Sequence, residues 1–269
     1  MISSLYEGCR KQILPHGCSK PGHGQASIQQ GLGQLGPLPL PENVVQVWVF
    51  HDSLVKQACV SLASALSPDE RRRAGAYKHG SSRDRFIARR GTLRWLIGRY
   101  FECEPESVRF SLGPFGKPAL QWPFAPEFAF NVSQTHSMAL FAFARNCQVG
   151  VDVEQLVDSV DIAGVGGQVF SSTEQNAIAS SRRGSKNAFF RHWTRKEALL
   201  KATGTGLSGP LKCYTTEDEP QAGENQWRAS RNGFPMSGWT FLDLTPSADV
   251  RAAVAVSGIK AQVCIHLCS

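Results

Sequence analysis

The chain has 269 residues, of which 42% are hydrophobic, enough for the core of one large domain or two small ones. Its 29 Lys and Arg residues exceed its 22 Asp and Glu residues, and the net charge of +7 favours an acidic partner such as nucleic acid, an anionic membrane or an acidic protein. The longest apolar run, 138–144, is too short to span a membrane, and the first thirty residues lack the apolar stretch of a secretory signal.

The cysteines predict a reducing compartment. Eight are scattered along the chain, and none forms the C-x-x-C pair typical of a zinc site. We therefore interpret them as free thiols of a cytoplasmic protein.

The N-terminal segment differs from the rest of the chain. Residues 1–43 are rich in Gly, Pro, Gln and Ser and have little hydrophobic periodicity, which predicts a flexible segment. Alternating apolar residues begin at Val44 and indicate the first strand.

Two helices are predicted next. Ser67 and Pro68 are typical of a helix start, and a long amphipathic helix is expected over 83–100. Its apolar positions are predicted core contacts, and its arginines are expected to be mostly solvated or to extend toward solvent. The apolar positions are Phe86, Ile87, Leu93, Leu96, Ile97 and Tyr100, and the arginines are Arg85, Arg89, Arg90, Arg94 and Arg99.

The remaining pattern is that of strands followed by helices and a closing hairpin. Strands are predicted at 108–112, 119–122, 129–132, 138–144 and 149–154. Helices are predicted at 170–180 and 188–203, and hairpin strands at 239–244 and 250–257.

The strand VGVDVEQL at 149–156 carries two acids on one face. Residues two apart in a strand share a face, so Asp152 and Glu154 lie side by side, opposite three core valines. Adjacent carboxylates repel each other, and a hard cation such as Mg²⁺ removes that repulsion. The alternative is a solvent-facing strand with two ordinary acids.

The helix WTRKEALLKATGTG at 193–206 adds a third carboxylate and a lysine. Glu197 and Lys201 are four residues apart and therefore share a helix face, where they could present a metal ligand and a phosphate ligand. Gly204 and Gly206 indicate the helix end. The alternative is a surface ion pair.

These segments resemble the motifs of the 4′-phosphopantetheinyl transferases, in particular the Sfp-type subclass, which is monomeric and has two similar halves. GVDVE and WTRKEALLKATGTG match that family's two principal motifs, and GPFGKPAL at 113–120 and FNVSQTHS at 130–137 resemble two more. The resemblance covers roughly residues 45–260.

The resemblance implies a reaction and a set of site residues. The family moves the phosphopantetheine arm of coenzyme A onto a serine of an apo acyl or peptidyl carrier protein and releases adenosine 3′,5′-bisphosphate. Asp152, Glu154 and Glu197 would bind Mg²⁺, with Mn²⁺ as the alternative ion. Glu197, or a water that it holds, would take the serine proton, and Lys201 would contact the attacked phosphate.

The resemblance also implies coenzyme A contacts. Lys117 and Ser133 would bind its phosphates, and Arg85 and Arg90 are the expected contacts to its 3′-phosphate. The family's histidine after this serine is replaced by Gln134, which donates a hydrogen bond but carries no charge. Either Gln134 or His136 is expected to take over that contact.

The expected fold class is α+β, with two similar halves in a pseudo-twofold arrangement. Each half would be a small, largely antiparallel sheet packed on a long helix, with the active site at the interface. The flexible segment 1–43 would precede an N-terminal half at 44–147 and a C-terminal half at 148–269.

Three functions compete on these observations. The first is the Mg²⁺-dependent transferase, a cytoplasmic monomer that acts on coenzyme A and a carrier protein of fatty acid, polyketide or nonribosomal peptide biosynthesis. The second is a catalytically weak coenzyme A-binding protein on the same fold. The third, a nucleic-acid-binding module, requires aromatic residues among the basic ones, whereas Trp95 and Tyr100 have the spacing of core residues. We therefore expect neither nucleic acid nor a membrane as a partner.

Overall fold

A computed structural model describes most of the chain. The described residues are 37–113, 116–182, 184–205, 211–218, 225–258 and 261–268, so the predicted flexible segment lies largely outside them. They form a mixed α+β structure, as predicted. Within these ranges, no helix combines the length and the apolar character that crossing a membrane requires.

Strands and helices are numbered here in chain order. The strands are β1 Val44–His51, β2 Arg109–Leu112, β3 Pro118–Trp122, β4 Phe128–Gln134, β5 Met138–Arg145, β6 Val149–Gln155, β7 Tyr214–Asp218, β8 Trp227–Arg231, β9 Phe234–Pro235, β10 Trp239–Leu244, β11 Val250–Ser257 and β12 Gln262–Leu267. The helices are α1 Val55–Ser61, α2 Pro68–Gly75, α3 Gly80–Phe101, α4 Ile162–Val169, α5 Ser172–Ala179 and α6 Ser185–Thr203.

Two sheets form the centre of the molecule. The first has the strand order β12-β1-β5-β4, in which β1 is antiparallel to β5 and parallel to β12. The second has the order β10-β11-β6 and is antiparallel. The first sheet therefore combines β1, β5 and β4 with β12, which follows residue 148 in the sequence. The smaller sheets are β2-β3 and β7-β8-β9.

One hydrophobic core lies between the two central sheets. Valines of β1 face valines of β6 and β11 there, and Val149, Val151 and Val153 are all buried, as their alternation predicts. The other face of the first sheet packs on α3, and the other face of the second packs on α6. Therefore α6 and β6 bring the two acidic motifs into contact.

Two of the five arginines of α3 are buried rather than solvated. Arg94 is only 2% exposed and donates hydrogen bonds to Glu70 and to the carbonyl oxygen of Val108. Arg89 is also buried and pairs with Asp52. Buried charges are tolerated when they are paired, and the carboxylate partners lie 24 and 37 residues away in sequence, beyond the reach of helical periodicity.

Gly150 allows α6 to lie directly on β6. A Cβ atom at this position would lie 2.0 Å from the carbonyl oxygen of Ala198 and 2.4 Å from the backbone nitrogen of Ala202. These obstructing atoms belong to a helix backbone, which cannot rotate out of the way as a side chain can. Therefore any larger residue would push α6 off the sheet.

We predict that Gly150→Ala lowers the free energy of unfolding by about 3 kcal/mol, because it overpacks a backbone contact. Urea unfolding measures the change. The control is Gly75→Ala in α2, where an added Cβ has no atom within 4 Å and should leave stability unchanged or slightly raise it. Equal stability of the two variants would contradict the close approach.

Candidate functional site

An open cavity of about 330 Å³ lies where β4, β6 and α6 meet. Six of its lining residues were predicted as site residues from three separate sequence motifs. The lining residues are Val132, Ser133, Gln134, Asp152, Glu154, Trp193, Glu197 and Lys201.

Side chains of β4 join the edges of the two central sheets beside this cavity. The backbone N–H of Val151 donates to Asn131 Oδ1 at 2.9 Å, and that of Val153 donates to Ser133 Oγ at 3.3 Å. Thus two side chains of the FNVSQTHS segment satisfy backbone donors of β6. This arrangement fixes the position of Asp152, which lies between those two valines.

Asp152 is buried and paired with Lys201. Lys201 Nζ lies 2.6 Å from Asp152 Oδ1 and 3.0 Å from Ser133 Oγ, which itself donates to Asp152 Oδ1 at 2.8 Å. Asp152 is only 2% exposed, so the alternative of a solvent-facing strand with ordinary acids is wrong. The lysine of the helix motif therefore neutralises the aspartate of the strand motif.

Glu197 is also buried, at 9% exposure, and its Oε1 has no hydrogen-bond partner. Burial, followed by the charge of Asp152, raises the pKa of Glu197 to about 7. The pKa of Glu154 is raised too, by burial and then by Asp152. Glu197 can therefore exchange a proton near neutral pH, and extra positive charge in the cavity would stabilise the ionised form of both glutamates.

The chemistry of these carboxylates fits a hard divalent cation. Asp152 Oδ2 and Glu197 Oε1 are both buried without a partner, and oxygen is the ligand atom that Mg²⁺ prefers. At their present separations, no three Asp, Glu, His or Cys side chains in the described ranges converge on one point as metal ligands do. The oxygen donors and the two unpartnered oxygen atoms therefore support a cation site. The distances between the carboxylates are those of a structure in which Lys201, rather than a metal ion, pairs with Asp152.

A cationic cluster borders the cavity at Gln134. Arg89 donates to Gln134 Oε1 at 3.3 Å and pairs with Asp52, and Arg85 pairs with the same aspartate. His136 Nε2 lies 3.1 Å from Arg85 Nη2 and is not among the residues that line the cavity. Gln134, rather than His136, thus lies at the cavity. Neither Asp52 nor Arg89 was predicted as a site residue, because nothing in the local sequence links them to the motifs.

Two other predicted coenzyme A contacts lie elsewhere. Lys117 Nζ donates to the carbonyl oxygens of Ala202, at 3.1 Å, and Val149, at 3.4 Å, and burial lowers its pKa. It therefore acts as a cation at the C-terminal end of α6, where the helix dipole favours positive charge. Arg90 pairs with Glu70, and its guanidinium lies 4.2 Å from the centre of the Phe110 ring.

The helix motif also contributes a polar cluster on the side of α6 away from the cavity. Lys196 Nζ is buried and lies 2.8 Å from Glu174, and it donates to three backbone carbonyl oxygens. His192 Nδ1 lies 2.8 Å from Thr216 Oγ1, which donates to Glu174. Burial, followed by the charge of Arg195, lowers the pKa of His192 to about 4.

We predict that this cluster makes the protein less stable in mild acid. The unfolded histidine takes up a proton near pH 6.5, whereas the folded one does so only near the pKa of about 4, so stability is present above pH 6.5 and is lost as the pH falls toward 4. The loss attributable to His192 between pH 7 and pH 5 is about 2 kcal/mol.

Urea unfolding at several pH values, compared with His192→Asn, tests this assignment. The variant lacks the titrating group, so its free energy of unfolding should fall less steeply with acid. Parallel curves for the two proteins would contradict the depressed pKa.

Carboxylates, a lysine and an amide that accepts a hydrogen bond from Arg89 surround one cavity. Comparison with known proteins identifies the family. A sequence model of the 4′-phosphopantetheinyl transferase superfamily matches residues 148–257. The 4′-phosphopantetheinyl transferase HetI of Nostoc sp. is 34% identical over 231 residues, covering 82% of this chain and 93% of that protein. The chain therefore belongs to the 4′-phosphopantetheinyl transferase superfamily.

Two further relatives are also named as phosphopantetheinyl transferases. The 4′-phosphopantetheinyl transferase Sfp of Bacillus subtilis is 29% identical over 154 residues, which are 56% of this chain and 66% of that protein. The L-aminoadipate-semialdehyde dehydrogenase-phosphopantetheinyl transferase of Schizosaccharomyces pombe is 32% identical over 169 residues, which are 56% of this chain and 64% of that protein.

Proposed function

We propose that this protein transfers the 4′-phosphopantetheine arm of coenzyme A to a serine of an apo acyl or peptidyl carrier protein. The single observation that carries the proposal is that residues of three distant motifs line one cavity, with the acidic strand opposite the Glu-Lys helix. The weaker alternative, a protein that only binds coenzyme A, does not account for a buried, unpartnered carboxylate at the cavity wall.

The reaction exchanges the phosphoanhydride linkage of coenzyme A for a phosphoester linkage to the serine. The bond between the serine oxygen and the β-phosphorus of coenzyme A forms, and the bond between that phosphorus and the bridging oxygen breaks. The bridging oxygen leaves with adenosine 3′,5′-bisphosphate, and the serine proton must be accepted by a base. Catalysis of this kind depends on positioning and on neutralising charge rather than on a protein nucleophile.

Glu197 is the proposed base. Its Oε1 has no hydrogen-bond partner, so it can accept the serine proton directly or through a water, and its position on the rigid helix α6 fixes its direction. Lys201 and Ser133 provide N–H and O–H donors at the same wall, where they would hold the attacked phosphate.

Asp152, Glu154 and Glu197 would hold Mg²⁺, or alternatively Mn²⁺. When bound, the ion would neutralise the pyrophosphate and the charge that develops on the leaving oxygen. The uncommitted oxygens of Asp152 and Glu197 support this assignment.

Gln134 is the proposed phosphate donor from β4, and Arg85 with Asp52 belongs to the neighbouring cationic cluster. Arg90 and Lys117 are left out of this set because their partners, Glu70 and the backbone carbonyl oxygens of Ala202 and Val149, belong to residues that do not line the cavity. Asp52, the partner of Arg85, instead also pairs with Arg89, which donates to Gln134. The net charge of +7 suits an acidic carrier protein. We propose that the protein acts as a monomer in the cytoplasm.

Intact-mass spectrometry of a purified apo carrier protein tests the proposed reaction. After incubation with this protein, coenzyme A and Mg²⁺, the carrier should gain the mass of one phosphopantetheine group. An excess of chelator should abolish the gain. No gain on acyl and peptidyl carriers alike would contradict the transferase, and a full gain in chelator would contradict the cation.

We predict that Glu197→Gln lowers kcat by at least about 100-fold, since a general base contributes about 10²- to 10⁴-fold. The amide keeps the size of the side chain but cannot accept the proton. Glu104→Gln, at an exposed position outside the cavity, is the control and should keep the wild-type rate. A wild-type rate in Glu197→Gln would show that Glu197 is neither the base nor an essential ligand.

We predict that Gln134→His tightens coenzyme A binding about fivefold below the pKa of the new histidine, because a charged donor gains about 1 kcal/mol over a neutral one. Isothermal titration with coenzyme A measures the change. Gln121→His, at an exposed position of β3, is the control. Unchanged affinity would place Gln134 away from the bound phosphates.

A further inference from the structure

We propose that Trp193 is a positioning residue for the cation site: its indole N–H holds the Glu154 carboxylate at the cavity wall. The inference rests on the proposed cation-dependent function and assigns a role to the tryptophan that opens the helix motif. Trp193 Nε1 donates to Glu154 Oε1 at 3.3 Å, and both residues line the cavity.

The position of Trp193 on α6 gives the indole its direction. Trp193 and Glu197 are four residues apart, so they lie on the same helix face one turn apart. The tryptophan therefore reaches the strand end that carries Glu154, while Glu197 faces the same cavity.

The indole ring is held by stacking. It is nearly parallel to the buried ring of Phe189, with an interplanar angle of 11° and 6.1 Å between the ring centres. Phe189 precedes Trp193 by one helical turn, so the helix itself sets the stack. A ring held in this way has a fixed N–H direction, which a flexible donor would not provide.

Glu154 depends on this hydrogen bond for its position more than the other two carboxylates do. Asp152 already receives hydrogen bonds from Lys201 and Ser133, and Glu197 is confined by the packed helix. Glu154 lies near the end of β6, beside the negative charge of Asp152, which repels it. The indole opposes that repulsion while it uses one carboxylate oxygen and leaves the second for a ligand.

The contrasting possibility is that Trp193 only fills the core around Phe189. The chain offers a matched control for this possibility. Trp227 stacks on Phe241, with 4.3 Å between ring centres and an angle of 25°, and its Nε1 is buried without a hydrogen-bond partner. Tryptophan to phenylalanine removes an indole in both cases but breaks the bond to a carboxylate only at Trp193.

The test is a titration of the full chain with Mn²⁺ alone, in which electron paramagnetic resonance measures the free ion. Trp193→Phe should weaken Mn²⁺ binding about fivefold, equivalent to about 1 kcal/mol. Trp227→Phe should leave it unchanged. Circular dichroism and unfolding curves verify that both variants fold. In a Glu154→Ala variant, adding Trp193→Phe should not weaken Mn²⁺ binding further, because the carboxylate that the indole N–H binds is already absent.

The outcomes separate this inference from the function on which it rests. If the wild type binds Mn²⁺ and Trp193→Phe binds it equally well, or if its effect persists without Glu154, the positioning role is overturned while the function stands. If the wild type binds no Mn²⁺, the cation assignment is overturned together with this inference, and the carrier-mass experiment then decides separately whether transfer occurs.

Discussion

The close approach of α6 to β6 at Gly150 is the constraint on which the site depends. The helix backbone occupies the space where any other residue would place its Cβ, so the two acidic motifs meet at a single distance. This distance lets Lys201, on the helix, reach Asp152, on the strand, at 2.6 Å. A glycine that contributes no chemistry therefore sets the geometry of the charged groups around it.

The cavity concentrates negative charge that the protein itself neutralises only in part. Lys201 compensates Asp152, whereas Glu154 and Glu197 have no cationic side chain bonded to them among the described residues. Burial, followed by the charge of Asp152, raises the pKa values of both glutamates. Either a bound cation or a proton on one carboxyl group reduces the repulsion within such a cluster. The same carboxylates can therefore take up a proton and, in the proposed function, would hold a divalent ion.

The residues that line the cavity were easier to predict from the sequence than the contacts around it, for a physical reason. Strand alternation and helical spacing place residues that are two or four apart on one face, so the pairs Asp152 with Glu154 and Glu197 with Lys201 followed from local pattern. Their assignment to one common site came from the family resemblance. The pairing of Arg89 with Asp52, the carbonyl contacts of Lys117 and the pairing of β12 with β1 join positions far apart in the chain. Local periodicity contains no information on such contacts.

The two sides of α6 explain why a short motif carries so many polar residues. On one side Arg195 is fully buried and bonded to Asp218 and Asp243, and Lys196 is bonded to Glu174. Buried ion pairs contribute little net stability, but they are costly to break and so favour one arrangement of the helix. Fixing the rotation of α6 in this way fixes the direction in which the cavity residues on its other side point. The basic residues of the motif that do not reach the cavity therefore hold in place the helix that presents Glu197.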